Sequence, residues 1–351
     1  MINPLLTTNE ITRLRQELET AINPFFIYDD DADGLSSFLL LYRKYKKGRG
    51  FMLKSSSVVD SSIVQRVIEA SPDKIFILDI PLLEQEFVDK VKLPIFWIDH
   101  HPPQDIKNVN YYNPRLKDEL AYIPTNRMVY QVVDNIDDLW ITTAGCLGDW
   151  HMPDFIPQFI EKYPNLLPKE TDLADAIYNQ PVGQLVKMLF FLLKGKHSEI
   201  LKSIKVLTRI SSVDEILKQE TAQGKFIWKK FEQVNHKFES LIKKAKKEIT
   251  KNKLVFFSYS EEWSFTTEIS NELSALNPDK TIIICRNKSG EMKCSLRSKT
   301  PVLPLLKRSL EGIEGKGGGH PEACGAVIKE KDWERFLDNF RREMKESSVE
   351  E

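Results

Sequence analysis

The sequence predicts an α/β fold: a parallel-sheet N-terminal domain, a helical connector and a smaller α/β C-terminal domain, with the active-site cleft between the two. Three observations carry this expectation. Short apolar runs alternate with helical patterns through the first hundred residues, the rhythm of βαβ units. Acidic residues stand directly after several of those runs. The length of 351 residues exceeds what one core usually serves, so more than one domain is expected.

In chain order, residues 9–21 read as a helix capped by Thr8 or Asn9, ahead of a first buried strand, Phe25-Phe26-Ile27-Tyr28. Strands are then expected at 51–55, 75–78 and 95–98, separated by helices at 61–70 and 83–91. Pro102, Pro103, Asn113 and Pro114 mark a loop, followed by helices at 126–135 and 139–148 and a Pro-broken stretch at 153–168. The chain from 173 to 252 is nearly all helical, with 213–253 read as one long helix. Beyond it, strands at 254–259, 281–285, 292–296 and 323–328 and helices at 264–276 and 302–310 complete a second α/β pattern, interrupted by a glycine-rich turn, Gly317-Gly318-Gly319. The expected domains are therefore 1–165, 166–252 and 253–351.

The chemistry concentrates where strands end. The first strand runs into Asp29-Asp30-Asp31-Ala32-Asp33-Gly34, the 75–78 strand into Asp79, and the 95–98 strand into Asp99-His100-His101; Asp149 closes the 139–148 helix. In an open parallel sheet the carboxyl edge is where ligands bind, so these segments converge on one crevice. Carboxylates crowded there repel one another unless cations compensate, and an oxygen-rich set with one or two imidazoles suits Mn²⁺ or Mg²⁺ rather than thiolate zinc. Two such ions can clamp an in-line phosphoryl displacement. Taken alone, an Asp-rich segment ending in Gly reads as a turn or helix cap, and alternation sends only one of two adjacent His rings toward a given face. The joint pattern outweighs those separate readings. His151, His197 and His236 lack such context and read as surface or structural residues.

These residues resemble the four successive motifs of the DHH phosphoesterase superfamily: Asp29-x-Asp31-x-Asp33-Gly34, Asp79, Asp99-His100-His101 and Asp149, the first of them in the form of its RecJ-like single-strand nuclease branch. Downstream, Cys294-Ser295-Leu296-Arg297-Ser298 and Gly317-Gly318-Gly319-His320-Pro321-Glu322-Ala323-Cys324-Gly325-Ala326 resemble the DHH-associated substrate-binding domain. The resemblance implies two divalent ions, Mn²⁺ ahead of Mg²⁺, held by Asp29, Asp31, Asp33, Asp79, His100 and Asp149, with Asp79 bridging. It implies that His101 sits beside the scissile phosphate as donor or general acid and that Asp99 orients a histidine. Arg297, Ser295, Gly317, Gly318, Gly319 and His320 would take the substrate phosphate, with Asn113 and Arg115 as further contacts. Many members carry a histidine in the first motif where this chain has Asp29 or Asp30, and Cys324 stands where alanine is common. The activity implied is a metal-dependent phosphodiesterase, in first place an exonuclease acting on single-stranded DNA or RNA. Alternatives within the superfamily are an oligoribonuclease or nucleotide phosphatase, a cyclic-dinucleotide phosphodiesterase and a polyphosphate or pyrophosphate hydrolase. A catalytically silent replication or repair scaffold is a further alternative, disfavoured because none of the six ligands is lost.

Composition is ordinary for a folded chain, with 50 basic and 51 acidic side chains and a net charge of −1. That balance points to no particular partner. Between 213 and 253, however, eleven lysines face six acidic residues above an apolar stripe of Ile216, Phe226, Phe231, Phe238, Leu241 and Ile242. The segment reads as a solvated helical face, with phosphate-backbone contact as the competing reading, and the helical connector is a candidate surface for self-association or a protein partner. No apolar run approaches the roughly twenty residues of a membrane span and residues 1–24 lack a signal-peptide pattern, so a cytoplasmic protein without membrane contact is expected. Cys146, Cys285, Cys294 and Cys324 show no C-x-x-C spacing and are expected as reduced, buried thiols without a disulfide.

Overall fold

The structure, a computed structural model, describes residues 5–54 and 58–347. It divides into two compact units, Met1–Glu232 and Gln233–Glu351. The helices expected as a separate connector fall into both units, and one of them crosses the boundary.

The first unit is built on strands β1 (Phe25–Asp29), β2 (Arg49–Leu53), β3 (Val58–Val59), β4 (Ile75–Leu78), β5 (Leu82–Leu83), β6 (Ile95–Ile98) and β7 (Asn110–Tyr112). Five of them form one parallel sheet in the order β2-β1-β4-β6-β7, while β3 and β5 pair separately. The four-residue strands β4 and β6 are buried throughout, as expected of a sheet covered on both faces. Alternation sorts their side chains. Phe25, Ile27, Ile75, Ile77, Ile95 and Trp97 share one core with Val67 and Phe87, whereas Phe26, Phe76 and Phe96 stack in a row on the opposite face, with centroids 5.5 and 5.1 Å apart.

Helices α1 (Thr8–Thr20), α2 (Ala32–Tyr45), α3 (Val64–Ala70), α4 (Gln85–Val91), α5 (Thr125–Val133) and α6 (Leu139–Gly148) accompany the sheet. The cap of α1 is Thr7 rather than Thr8 or Asn9, because Glu10 completes a capping box with it. The strand β7, missed in the loop after Asp99, is three residues long and too short to show a period. The strand expected at 51–55 starts two residues earlier, and its last residue, Ser55, lies outside the described residues.

Next come α7 (Ile156–Lys162), α8 (Leu173–Tyr178), α9 (Val182–Leu192), α10 (His197–Leu207), α11 (Val213–Leu217) and α12 (Ala222–Ala245). The single helix expected over 213–253 is thus two: the chain turns at Gln219, in the left-handed region, and α12 packs back so tightly that a Cβ on Gly224 would overlap the Glu215 carbonyl. On α12, Phe231, Phe238, Leu241 and Ile242 are buried while Lys225, Lys229, Lys243 and Lys244 are exposed or half-buried. Among the described residues no helix is long and apolar enough to cross a membrane.

The second unit holds a five-stranded mixed sheet, β11-β12-β10-β9-β8, from β8 (Leu254–Tyr259), β9 (Thr281–Lys288), β10 (Glu291–Arg297), β11 (Gly315–Gly319) and β12 (Ala323–Lys329). Only β8 and β9 run parallel. Helix α13 (Thr266–Leu276) packs on β9 and β10. On the other face α14 (Leu303–Ser309) and α15 (Trp333–Ser347) close a core with Ile283, Cys285, Met292, Cys294, Leu296 and Ile328. Two expectations are corrected here. Gly317-Gly318-Gly319 belongs to the edge strand β11 and is not a turn; its glycines lie so close to β12 that a Cβ on Gly317 or Gly319 would crowd the neighbouring backbone. Cys285 and Cys294, opposite one another across β9 and β10, are joined as a disulfide, whereas Cys146 and Cys324 are free and buried. Spacing alone could not reveal that a tight hairpin brings residues nine apart into register.

Candidate metal centre

The carboxyl edge of the first sheet delivers its residues in strand order. Asp29 is the last residue of β1, Asp79 follows β4, Asp99 and His100 follow β6, and Asn113 follows β7. Between β1 and α2 the chain reverses tightly: Asp31 caps α2 by accepting the Gly34 amide at 2.9 Å, and a Cβ on Gly34 would come within 2.7 Å of the Asp29 backbone. The glycine of the first motif is therefore a close-approach residue. Asp79 takes a left-handed φ of 60°, which aspartate tolerates better than most residues, and donates its amide to Ile98 O at 3.0 Å.

Ligand atoms converge in three overlapping sets: Asp29, Asp31 and Asp79; Asp33, His100 and Asp149; and Asp79, His100 and His101, each within 4.8 Å of one another. His100 Nε2 lies 3.4 Å from Asp79, 3.6 Å from Asp149 and 4.0 Å from Asp33. All six residues expected as metal ligands are thus gathered in one place.

Burial, followed by the charge of neighbouring carboxylates, pushes Asp29 up to about 8 and Asp33 up to about 7. The same causes hold Asp79 and Asp149 well above the usual carboxylate range, and burial raises Asp31. Burial, with His101 and Arg115 nearby, lowers His100 to about 3, so its imidazole is neutral and able to offer a lone pair. Among the described residues no lysine or arginine pairs with any of these five carboxylates. Buried and half-buried carboxylates without a lysine or arginine partner, joined by a neutral imidazole, form a donor set that fits hard divalent ions.

His101 is held differently. Its Nδ1 meets Asp99 Oδ1 at 2.8 Å and its amide donates to Asp99 Oδ2 at 3.0 Å, while Asp99 is fully buried. Burial opposes protonation of His101, but the bond to Asp99 and the charges of Asp99, Asp31 and Asp33 outweigh it and raise its pKa. Asn113 is buried, and its amide donates to the His101 carbonyl at 2.9 Å and the Tyr111 hydroxyl at 2.8 Å. Arg115 donates to Ala121 O at 3.2 Å.

Three participants were missed from sequence. The Thr125 and Asn126 amides, at the N-terminus of α5, donate to Asp33 at 2.8 and 2.6 Å, and the Thr125 hydroxyl reaches Asp79 at 3.2 Å. A helix start facing an anionic cluster follows from the macrodipole, and Pro124 preceding it was the readable signal. The Tyr122 hydroxyl donates to Asp149 Oδ2 at 3.0 Å and to its carbonyl at 2.8 Å; no sequence signal marked it.

In the second unit, Ser295 is buried beneath α13, 3.1 Å from the Thr266 hydroxyl, and Arg297 donates to Asn271 at 2.7 Å and to Leu296 O at 2.8 Å. His320 is exposed beyond β11. Gly317 and Gly318 line a cavity of about 440 Å³ with Thr266, Lys293 and Lys316. Neither lysine was singled out from sequence. Lys316 and Lys293 both register on Val327, so they share a face of the sheet.

Comparison with known proteins agrees with this architecture. Residues 25–147 match the DHH family, N-terminal domain, and residues 250–346 match the DHHA1 domain. No curated protein is similar enough in sequence to match. Among solved structures, RecJ from Thermus thermophilus in complex with Mn²⁺ is similar over 96% of this chain at 14% identity, with a TM-score of 0.66. This chain covers 55% of that protein, about half its length. An exonuclease RecJ bound to manganese is similar over 96% of this chain and 94% of its own, at 15% identity and a TM-score of 0.60. A pGpG-specific phosphodiesterase, PggH from Vibrio cholerae, is similar over 92% and 98% at 15% identity and a TM-score of 0.50. At such identities the likeness speaks for the fold. Two family domains in this order, with the carboxylate and histidine motifs of the first gathered at one sheet edge, make this chain a member of the DHH superfamily of metal-dependent phosphoester hydrolases.

Proposed function

We propose that the chain is a two-metal phosphodiesterase that releases nucleotides from single-stranded DNA or RNA, acting in the cytoplasm. The observation that carries this reading is the sharing of Asp79 between two sets of ligand atoms, one with Asp29 and Asp31 and one with His100. Such sharing suits a carboxylate between two ions. Asp29, Asp31, Asp33, Asp79, His100 and Asp149 would hold them, Mn²⁺ ahead of Mg²⁺, and the pair would supply Lewis-acid polarisation of the phosphoryl oxygens and a lowered pKa for attacking water. The chain's own contribution is positional. Asp99 fixes the Nδ1 side of His101, leaving Nε2 to carry the proton that a departing oxygen needs. Arg297, Ser295, His320 and the glycines of β11 are proposed to take a substrate phosphate, with Asn113 and Arg115 as further substrate contacts.

The likeness to PggH favours a second reading, hydrolysis of a short linear dinucleotide by the same residues. Hydrolysis of end-labelled single-stranded DNA, RNA and pGpG with Mn²⁺ or Mg²⁺ separates the two. Stepwise, metal-dependent shortening of long strands, abolished in Asp79→Ala and His101→Ala, supports the exonuclease. Cleavage of pGpG alone supports the second reading. Cleavage of neither sinks both and redirects attention to polyphosphate, pyrophosphate and cyclic dinucleotides.

A further inference from the structure

Tyr122 joins the carboxylate cluster to an unusual stretch of surface. The turn between β7 and α5 exposes three large apolar side chains within seven residues: Leu116 is 56% exposed, Leu120 89% and Tyr122 43%. Single exposed apolar residues are ordinary on a protein surface, but three within seven residues, the last of them bonded to the carboxylate cluster, are less so. Tyr122 is also fixed. Its hydroxyl donates to the Asp149 carboxylate and carbonyl, its ring meets His100 edge to face at 5.3 Å, and His151 tilts against it at 6.4 Å. A core tyrosine would bury its ring and a surface tyrosine would leave its hydroxyl in water. This one does neither: its hydroxyl is tied to a candidate metal ligand while the residue as a whole stays 43% exposed.

We propose that Tyr122 is a specificity-determining residue, anchored through Asp149 so that its open ring face stacks on the nucleobase attached to the phosphate held at the carboxylate cluster. The inference rests on the phosphodiesterase reading and narrows its substrate class to phosphoesters carrying a base, against inorganic polyphosphate or pyrophosphate. An aromatic ring already ordered by its hydroxyl's shared bond to Asp149 loses little freedom on stacking, and every base has a face to offer, so the contact is strong without being sequence-selective.

The test uses the full chain with Mn²⁺ or Mg²⁺ and two single-stranded oligomers of equal length, one of thymidines and one of abasic tetrahydrofuran units. Tyr122→Ala is expected to raise KM for the thymidine oligomer about tenfold, to the level of the abasic one, while leaving KM for the abasic oligomer within about twofold. Tyr122→Phe keeps the ring and is expected to keep the preference for bases even where kcat falls through loss of the bond to Asp149. An equal rise in KM on both oligomers in Tyr122→Ala, or no rise on either, would overturn the proposal, whatever fall in kcat the two oligomers share through the lost bond to Asp149. Fluorescence anisotropy with the same oligomers reads the ring without turnover. A base preference in binding that Tyr122→Ala removes, in a protein that hydrolyses nothing, would uphold stacking and sink the phosphodiesterase reading. Brisk hydrolysis of both oligomers with equal affinity would do the reverse.

Discussion

Loading the candidate centre with metal should drive protons out of it. With Asp29 at about 8 and Asp33 at about 7, the metal-free site at pH 7 holds ~0.9 proton on the first and ~0.5 on the second. Ligation requires carboxylates, so binding at pH 7 should release at least ~1.4 protons, with Asp79 and Asp149 adding to that figure because both are raised further. Apparent affinity should then rise by more than about tenfold from one pH unit to the next near neutrality, the slope of log affinity against pH equalling the protons released. The linkage also sets stability. Carboxyl groups whose folded pKa lies above the unfolded value stabilise the fold fully below pH ~4 and lose that contribution as pH climbs through ~7 to ~8. Chelated protein should therefore soften between pH 5 and 8, and added Mn²⁺ should raise Tm more at pH 8 than at pH 5. Isothermal titration calorimetry in two buffers of different ionisation enthalpy counts the protons directly. Release of less than half a proton at pH 7 would refute the argument, because the carboxylates would then already be ionised and compensated without metal.

Other perturbations follow from named contacts. Asp99→Asn removes the charge that raises His101, so the alkaline limb of kcat/KM should move to lower pH, with turnover down about 10²-fold, in a pH-rate profile. Gly145→Ala drives a methyl into the Asn126 amide and the Ser36 hydroxyl, where repacking is restricted on both sides; urea unfolding should show a loss of about 2 kcal/mol together with weaker metal binding. Arg43→Ala strands Asp138, buried and paired at 2.6 Å, and denaturation should report a loss of about 3 kcal/mol with the centre's metal stoichiometry unchanged. Alkylation of the unfolded, unreduced chain should label Cys146 and Cys324 only, and all four cysteines after reduction; four labels without reductant would contradict the cross-strand bond.

The centre was legible because its geometry is nearly a restatement of its sequence. Neighbouring strands end at the same edge, so Asp29, Asp79 and Asp99 had to lie together once the sheet was parallel. What sequence could not supply were partners recruited from non-repeating segments. Tyr122 sits in a turn with no period, and the Thr125 and Asn126 contacts are made by main-chain amides, which carry no side-chain signature. Glycines misled in the second unit because the same residue serves positive φ and close packing. Gly319 combines both, with φ of 136° and the β12 backbone directly beside it. The break between α11 and α12 was hidden for a related reason, since the residues of the turn are polar and compatible with helix until the packing of Gly224 on Glu215 is known.

The composition of β11 also bears on how the protein behaves at high concentration. An edge strand offers a free row of amides and carbonyls to any other chain, and long apolar edges seed aggregation. Here that edge reads Gly-Lys-Gly-Gly-Gly. Glycine has little tendency to remain extended against a new neighbour and brings no side chain to bury, and the single lysine adds charge repulsion between copies. That edge thus combines an extended main chain with poor adhesion toward another sheet, so Gly318→Val, at a position where an added side chain meets open space, should increase β-rich association at high concentration.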